Sequence, residues 1–385
     1  MNGKRPLRSS VIVIVLITLL FTSVALTAFI EKAGNDLMVQ SRDSASTRLR
    51  QDAFSALEVT LGVLEDFREA DSGLHGVAEG WGDPLGWAGW APAEGRTVDI
   101  AFQDESGKLP LRHVDMTTLT NLFEYWQMAP SDAKNLADAL LGWMQNGYVY
   151  STPLNPDYEQ ASVPYDAPGR PLRSFRELAA IDVAKDVFFD PETKQPNANY
   201  WRFVNDVSIF TFPHPNVNGA NADVLTAAGN YTDVQEQHIS DYLSGAGEYT
   251  QQGQQWFKDT TTLAGVAGVG GSAAQFTTSI SALRILITVH EGRSQYRLSV
   301  VVAPQGGATL NQTVAVNATA GSPSGSASGS GSVTNTSQPS SSATTAQASA
   351  AASQNLNYPF TILELLEDDR IPLPPPLPPP IPGSA

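Results

Sequence analysis

Five histidines, His75, His113, His214, His238 and His290, are the side chains best suited to exchange protons near neutrality or to hold a metal. None stands in a ligand spacing such as H-E-x-x-H. His290 falls at the end of an alternating apolar run and His214 lies between two prolines, so surface or structural roles are the reading for all five. Acids that could supply a general acid and base come in three groups. These are Glu65, Asp66, Glu69 and Asp71; Asp104 with Glu105; and Glu367 to Asp369. They read as charged helix faces and turns, and none has the alternating oxygen spacing of a calcium loop. No G-x-S-x-G elbow, Walker A loop or G-x-G-x-x-G between a strand and a helix occurs. The glycine run from Val266 to Gly271 lacks the Lys and Ser/Thr of a phosphate cradle and reads as a flexible connector, together with Gly265. The absence of cysteine excludes disulfides, Cys-ligated zinc, iron–sulfur clusters and thiol nucleophiles. Three of the four N-x-S/T triplets, at Asn311, Asn317 and Asn335, lie in a Ser/Thr-rich stretch where they arise by composition; the fourth is at Asn230. No catalytic, cofactor-binding or metal residue is therefore expected, and the chain reads as non-enzymatic.

Composition points the same way. The chain has 385 residues, 42% hydrophobic but only 16% charged, below the roughly 25% of an average soluble domain. Its 23 Lys and Arg against 39 Asp and Glu give a formal charge of −16, which argues against nucleic acid as a ligand, since phosphate binding needs a cationic face.

The elements that could position anything begin with a membrane signal. Residues 1–10 form a basic leader with Lys4, Arg5 and Arg8. Val11 to Ile30 then runs without a charge. A helix of that length spans ~30 Å, the thickness of a bilayer core. The flanking charges place the N-terminus in the cytoplasm and the rest of the chain outside it. The alternative is a cleaved signal peptide with its small-residue site at Ser23-Val24-Ala25. The helical pattern continues beyond, with Phe54, Leu57, Leu61 and Leu64 on one stripe, until Asp71-Ser72-Gly73 stops it. It is either a helix docked on its own core or the second half of one long helix.

Thr97 to Gln103 alternates as a strand, and Asp104 to Lys108 is a turn. Residues 113–258 change character, with short helices around Leu119–Trp126, Pro130–Met144, Val217–Leu225 and Asp233–Leu243, and a Ser174-to-Glu177 capping box. Phe276 to Glu291 and Tyr296 to Val302 read as a hairpin, and Tyr358 to Leu366 as a further strand. Residues 303–355 are low-complexity and read as disordered, and 371–385 form a proline-rich tail of polyproline type. The expected fold is α+β: a long N-terminal helix on an antiparallel sheet built from 31–112, 259–302 and 356–370, with 113–258 inserted as a helical domain.

Several stretches in order carry a resemblance. They are Val98-Asp99-Ile100 with Asp104-Glu105-Ser106-Gly107-Lys108-Leu109; Ala137-Asp138-Ala139-Leu140-Leu141-Gly142-Trp143; Tyr158 and Val163-Pro164-Tyr165; Ser174-Phe175-Arg176-Glu177-Leu178; Asn216 to Leu225; the Arg284–Val302 hairpin; and Tyr358-Pro359-Phe360-Thr361-Ile362-Leu363. In this order they resemble the minor pseudopilin K family of type II (general) secretion systems. The resemblance implies a pilin-like fold with an all-α insert. It also implies a single-pass subunit of the bacterial inner membrane with its bulk in the periplasm. That subunit caps a pseudopilus beside the I and J pseudopilins and works with the secretion assembly platform. The leader-processing site it implies falls at Ser10 and Val11, with Ser10 where the family's substrates carry Gly. Val15 stands where other pseudopilins carry Glu, as expected of a tip subunit. Some members bind calcium through acids of the inserted domain, but Met144-Gln145-Asn146-Gly147 after Trp143 holds no acid, so no ligand is carried over. The alternatives are a minor pilin of a type IV pilus or DNA-uptake system, and an exported hydrolase with a signal peptide.

Overall fold

The first element of the computed structural model is α1 (Arg8–Asp71), one uninterrupted helix of 64 residues and so ~96 Å long at 1.5 Å per residue. The structure describes residues 8–154, 156, 158, 164–310 and 359–371, without the side chains of 8–12, 34–45 and 369. Most of the basic leader, the bulk of the low-complexity stretch and residues 372–385 lie outside them. Of the two readings of the N-terminal region, the single long helix is the observed one. Its two halves differ: Val13–Ala33 is bare, whereas Leu49, Ala53, Ala56, Leu57, Leu61 and Leu64 are buried. That stripe recurs at three- and four-residue steps, the spacing that keeps side chains on one helix face.

The stripe lies on a four-stranded antiparallel sheet of order β1-β4-β5-β6. A short helix, α2 (Pro84–Ala88), capped by Asp83, packs beside α1 before β1 (Arg96–Asp104). β4 (Leu283–Glu291) turns through Gly292 and Arg293 into β5 (Ser294–Pro304), and β6 (Phe360–Glu367) closes the far edge with a bulge opposite Val301 and Val302. Gly292 takes a left-handed φ of 59°, which the two-residue turn requires. Leu283, Ile285, Ile287 and Val289 alternate toward α1, as do Leu298, Val300 and Val302. The opposite face is covered around Val301 and Ala303 by Phe210 and Phe212.

Between β1 and β4 the chain builds a helical body with its own core. β2 (Leu109–Pro110) leads into α3 (Met116–Tyr125), α4 (Pro130–Met144), α5 (Ala184–Phe188) and α6 (Ala198–Asp206). Then follow β3 (Val207–Ser208), α7 (Ala222–Gly229), α8 (Asp233–Ser244) and α9 (Thr260–Ala267). Helix starts follow local chemistry: Asp115, Asn197, Asn221 and Asp259 each cap a helix by accepting a backbone N–H. The arrangement as a whole is the α+β, pilin-like one.

Several sequence boundaries move. Residues 109–111 and 263–276, expected with the sheet, pack into the helical body. Leu109, Leu111, Leu263, Ala267 and Phe276 are buried in the helical core, and β2 pairs in parallel with β3. The strand expected from Phe276 starts only at Leu283, because Phe276 is drawn off to stack on Tyr231. The low-complexity stretch expected from 303 starts later. Ala303 and Pro304 pair with Thr361 and Phe360, and Thr309 bridges Thr211. Ile371, expected in the tail, is buried. Gly265 lies within α9 rather than in a flexible join. Residues Phe175–Ala180 form a 3-10 turn without the expected capping box, because the Glu177 carboxylate accepts from the Arg173 N–H and Arg170 instead. The capping box that does form joins Thr232 and Gln235 of α8.

Candidate assembly surface

The free half of α1 is the largest unpartnered apolar surface among the described residues. Val13–Ala33 has a mean hydropathy of 2.6 and none of it is buried. Phe21 and Phe29 are 69% and 68% exposed. The hydroxyls of Thr18, Thr22 and Thr27 donate back to carbonyls one turn earlier, so these polar groups are satisfied within the helix, as a bilayer core demands. Ser10 and Val11 lie in the first turns of this helix.

The packed half is fastened at both sheet edges. Asp52 pairs with Arg96 at the start of β1, and the Arg50 guanidinium donates two bonds to Glu367 of β6 at 2.8 and 3.1 Å. The Arg50–Glu367 pair is exposed and adds little, whereas the Asp52–Arg96 pair is largely shielded from solvent. The apolar stripe supplies most of the hold.

The turn Asp104 to Lys108 lies at the junction of sheet and helical body. The Glu105 side chain is buried and accepts from Lys108 Nζ (3.0 Å), Arg284 Nε (3.3 Å) and Ser208 Oγ (3.2 Å). Burial pushes its carboxyl up, but Lys108 and Arg284 reverse this and hold it below the ordinary value. Asp104 accepts from the Ser106 N–H and O–H and from Asn216 Nδ2 (2.7 Å). Burial pushes it up to about 6. Asn216 Nδ2 also donates to the His75 carbonyl at 3.0 Å. A cleft of about 470 Å³ opens here, with Asp104, Asn205, Asn218 and Trp81 among its walls. At its base Gly107 meets the backbone of Gly219 so closely that a Cβ would run into it. Gly107→Ala is expected to cost about 1–3 kcal/mol through this overpacking, read as a lower urea midpoint.

The other chemistry-bearing residues are dispersed. His75 pairs with Glu79, whose carboxylate also accepts from Trp81 Nε1 at 2.8 Å. His290 lies 3.7 Å from Asp99 on the exposed sheet face, while His113, His214 and His238 lie apart on the surface. Glu65 pairs with Arg68, and Asp368 accepts from the Arg297 N–H. Among the described residues no three of His, Asp and Glu gather as a metal set. Two acids of the helical body are engaged by other side chains. Asp138 is taken up by Tyr148, Ser151 and Thr152, and Asp223 by the Arg202 guanidinium and Trp126.

No family profile and no curated protein matches the chain. Among solved structures, its fold is similar to a chain of the crystal structure of the GspK–GspI–GspJ complex from the type 2 secretion system of enterotoxigenic Escherichia coli. The likeness has 14% identity and a TM-score of 0.45, over 69% of this chain and 93% of that one.

Proposed function

We propose that the chain is a non-enzymatic structural subunit, a minor pseudopilin of the K type that caps a type II secretion pseudopilus together with I- and J-type subunits. The observation that carries this reading is α1, whose one half is buried on a sheet while the continuous other half is bare, apolar and long enough to cross a bilayer. A helix of that kind serves as an anchor in lipid. It serves equally as a strand of a fibre core once helix–helix packing replaces lipid contact. The helical body between β1 and β4 is a bulk that a closely stacked fibre has no room to repeat. A head-to-tail interface that cannot be repeated upward makes an end. The sequence order of the stretches from Val98 to Leu363 supports the same family. In this reading the subunit sits in the inner membrane with its N-terminus cytoplasmic and the rest periplasmic.

The test is fractionation and co-purification of the full chain with the I- and J-type pseudopilins of its own secretion system. Retention in the membrane and recovery of all three together are expected. Release of soluble protein lacking the first half of α1 would point instead to an exported protein with a signal peptide. Val24→Asp, near the middle of the bare segment, should lower both membrane retention and co-purification. A mid-bilayer Asp costs about 2.5–3.5 kcal/mol on insertion. Gln51→Glu, on the exposed side of the packed half, should change neither.

A further inference from the structure

The segment 207–221 is the strap by which the helical body holds the sheet. Phe210 and Phe212 bury their rings on the sheet face. Thr211 pairs with Thr309 through two backbone bonds of 2.9 and 3.0 Å. The Asn216 N–H donates to the Ser106 carbonyl at 2.7 Å, and its side chain reaches Asp104 and His75. The Val217 N–H donates to Thr277. One end of the strap leaves α6 at Asp206, and the other enters α7 through Asn221, its cap, and Asp223.

These two ends meet in an unusual knot. Asp206 is 1% exposed. Its Oδ1 accepts from Asn221 Nδ2 at 2.7 Å, while its Oδ2 has no donor. The carboxyl of Asp223 acts on it both as a hydrogen-bonding neighbour and as a like charge. Asp223 is satisfied as an anion by Arg202 (2.7 and 2.9 Å) and by Trp126 Nε1 (3.1 Å), and it sits in the first turn of α7, where a helix favours negative charge. Asp206 sits at the last residue of α6, where a helix disfavours it. A buried carboxylate beside a second one that is already satisfied as an anion cannot ionise cheaply, and every local preference assigns the proton to Asp206.

We infer that Asp206 and Asp223 share one proton, and that this proton closes the base of the 207–221 strap and so fastens the helical body to the sheet. The protonated Oδ2 of Asp206 donates to Asp223, which supplies the partner that atom lacks. Around the pair stand Arg202 on α6, Tyr125 on α3 and Trp126 just after it, and Asp233 and Glu236 on α8. Arg202 is the cation among them; Asp233 and Glu236 act on Asp223 and its neighbours as further like charges. Burial and Asp223 push the Asp206 carboxyl up to about 8, and the Arg202 side counters burial to hold Asp223 below its ordinary value. The sign follows. Between the ordinary carboxylate range and about 8 the folded chain keeps a proton that the unfolded chain has lost. Stability therefore falls as pH rises through that window, and the strap is the part that loosens.

The experiment is hydrogen exchange of the full chain in detergent micelles from about pH 5 to about pH 9, corrected for intrinsic rates, together with infrared detection of protonated carboxyl groups. In the wild type, protection of the strap amides of Thr211, Asn216 and Val217 should drop at least about tenfold across the range, the factor that one unit of pKa shift carries. A protonated-carboxyl band should persist at neutral pH. Asp206→Asn presents an N–H where the shared proton lies, so it should remove the band and flatten the pH dependence while keeping protection high. Absence of the band in the wild type, or an unchanged pH dependence in D206N, would overturn the inference. Equal loosening of every core amide would also overturn it, because the strap would then have no special part.

Discussion

Replacing Glu105 by alanine is expected to destabilise the protein by about 3–5 kcal/mol, the range for removing one partner of a buried ion pair. The carboxylate is 1% exposed and answers two cations at once. Among the described residues Lys108 Nζ has one other acceptor, the Val204 carbonyl at 3.1 Å, so without Glu105 its charge stays buried and nearly unpaired. Arg284 keeps Glu364 at 2.7 Å and Ser299 at 3.2 Å, so it suffers less. The loss is therefore expected to concentrate at Lys108, and the double variant Glu105→Ala with Lys108→Met should recover a substantial part of it. Arg50→Ala is the control: its pair with Glu367 is exposed, so its loss should be far smaller than that in E105A. Urea unfolding of the three variants decides, and equal losses in E105A and R50A would contradict the buried-triad account.

Phe203→Ala is expected to cost a similar amount, about 3–5 kcal/mol for a fully buried phenylalanine whose cavity cannot collapse. Its ring is the hub of the helical core. Phe188 lies 4.9 Å away, Phe175 6.0 Å, Phe123 6.2 Å and Trp126 6.4 Å between ring centres. These rings come from α3, α5, α6 and the 3-10 turn at Phe175–Ala180, so no single helix can shift to fill the gap. Tryptophan fluorescence should report it directly, since Trp126 loses an edge contact. Phe203→Leu keeps most of the volume and should lose clearly less, and a loss below about 1 kcal/mol in F203A would show that the hub is not tightly packed.

Features that depend on local periodicity were legible before the fold was known. The bare half of α1 shows in composition alone, because a bilayer-crossing run leaves no charge from Val11 to Ile30. The β4–β5 hairpin shows because every second residue from Leu283 to Val289 points the same way and Gly292 marks the turn. What stayed hidden depends on residues far apart in the chain. The chain of ion pairs from Glu105 through Arg284 to Glu364 spans three segments, and the acids Asp104 and Glu105 read as a solvated turn because nothing local announces that Arg284 and Asn216 will come to meet them. Asp206 gave no signal either: a lone Asp at a helix end is common, and only the fold reveals Asp223 beside it. β2 and β3 are two residues each, too short for alternation to be seen, so the boundary of the helical body was set too late at one end and too early at the other.

The uninterrupted course of α1 has a mechanical consequence. A helix resists twisting about its axis far better than a jointed rod, and this one is gripped on opposite flanks, by Arg96 of β1 through Asp52 and by Glu367 of β6 through Arg50. A turning force applied to the bare half therefore cannot spin the packed half in its groove. It must rotate the whole sheet, and with it the helical body strapped to that sheet. Pulling along the axis meets the buried leucines in shear, all at once, rather than peeling them away one by one. The chain thus answers a push, a pull or a twist at its N-terminal end as a rigid key answers the hand.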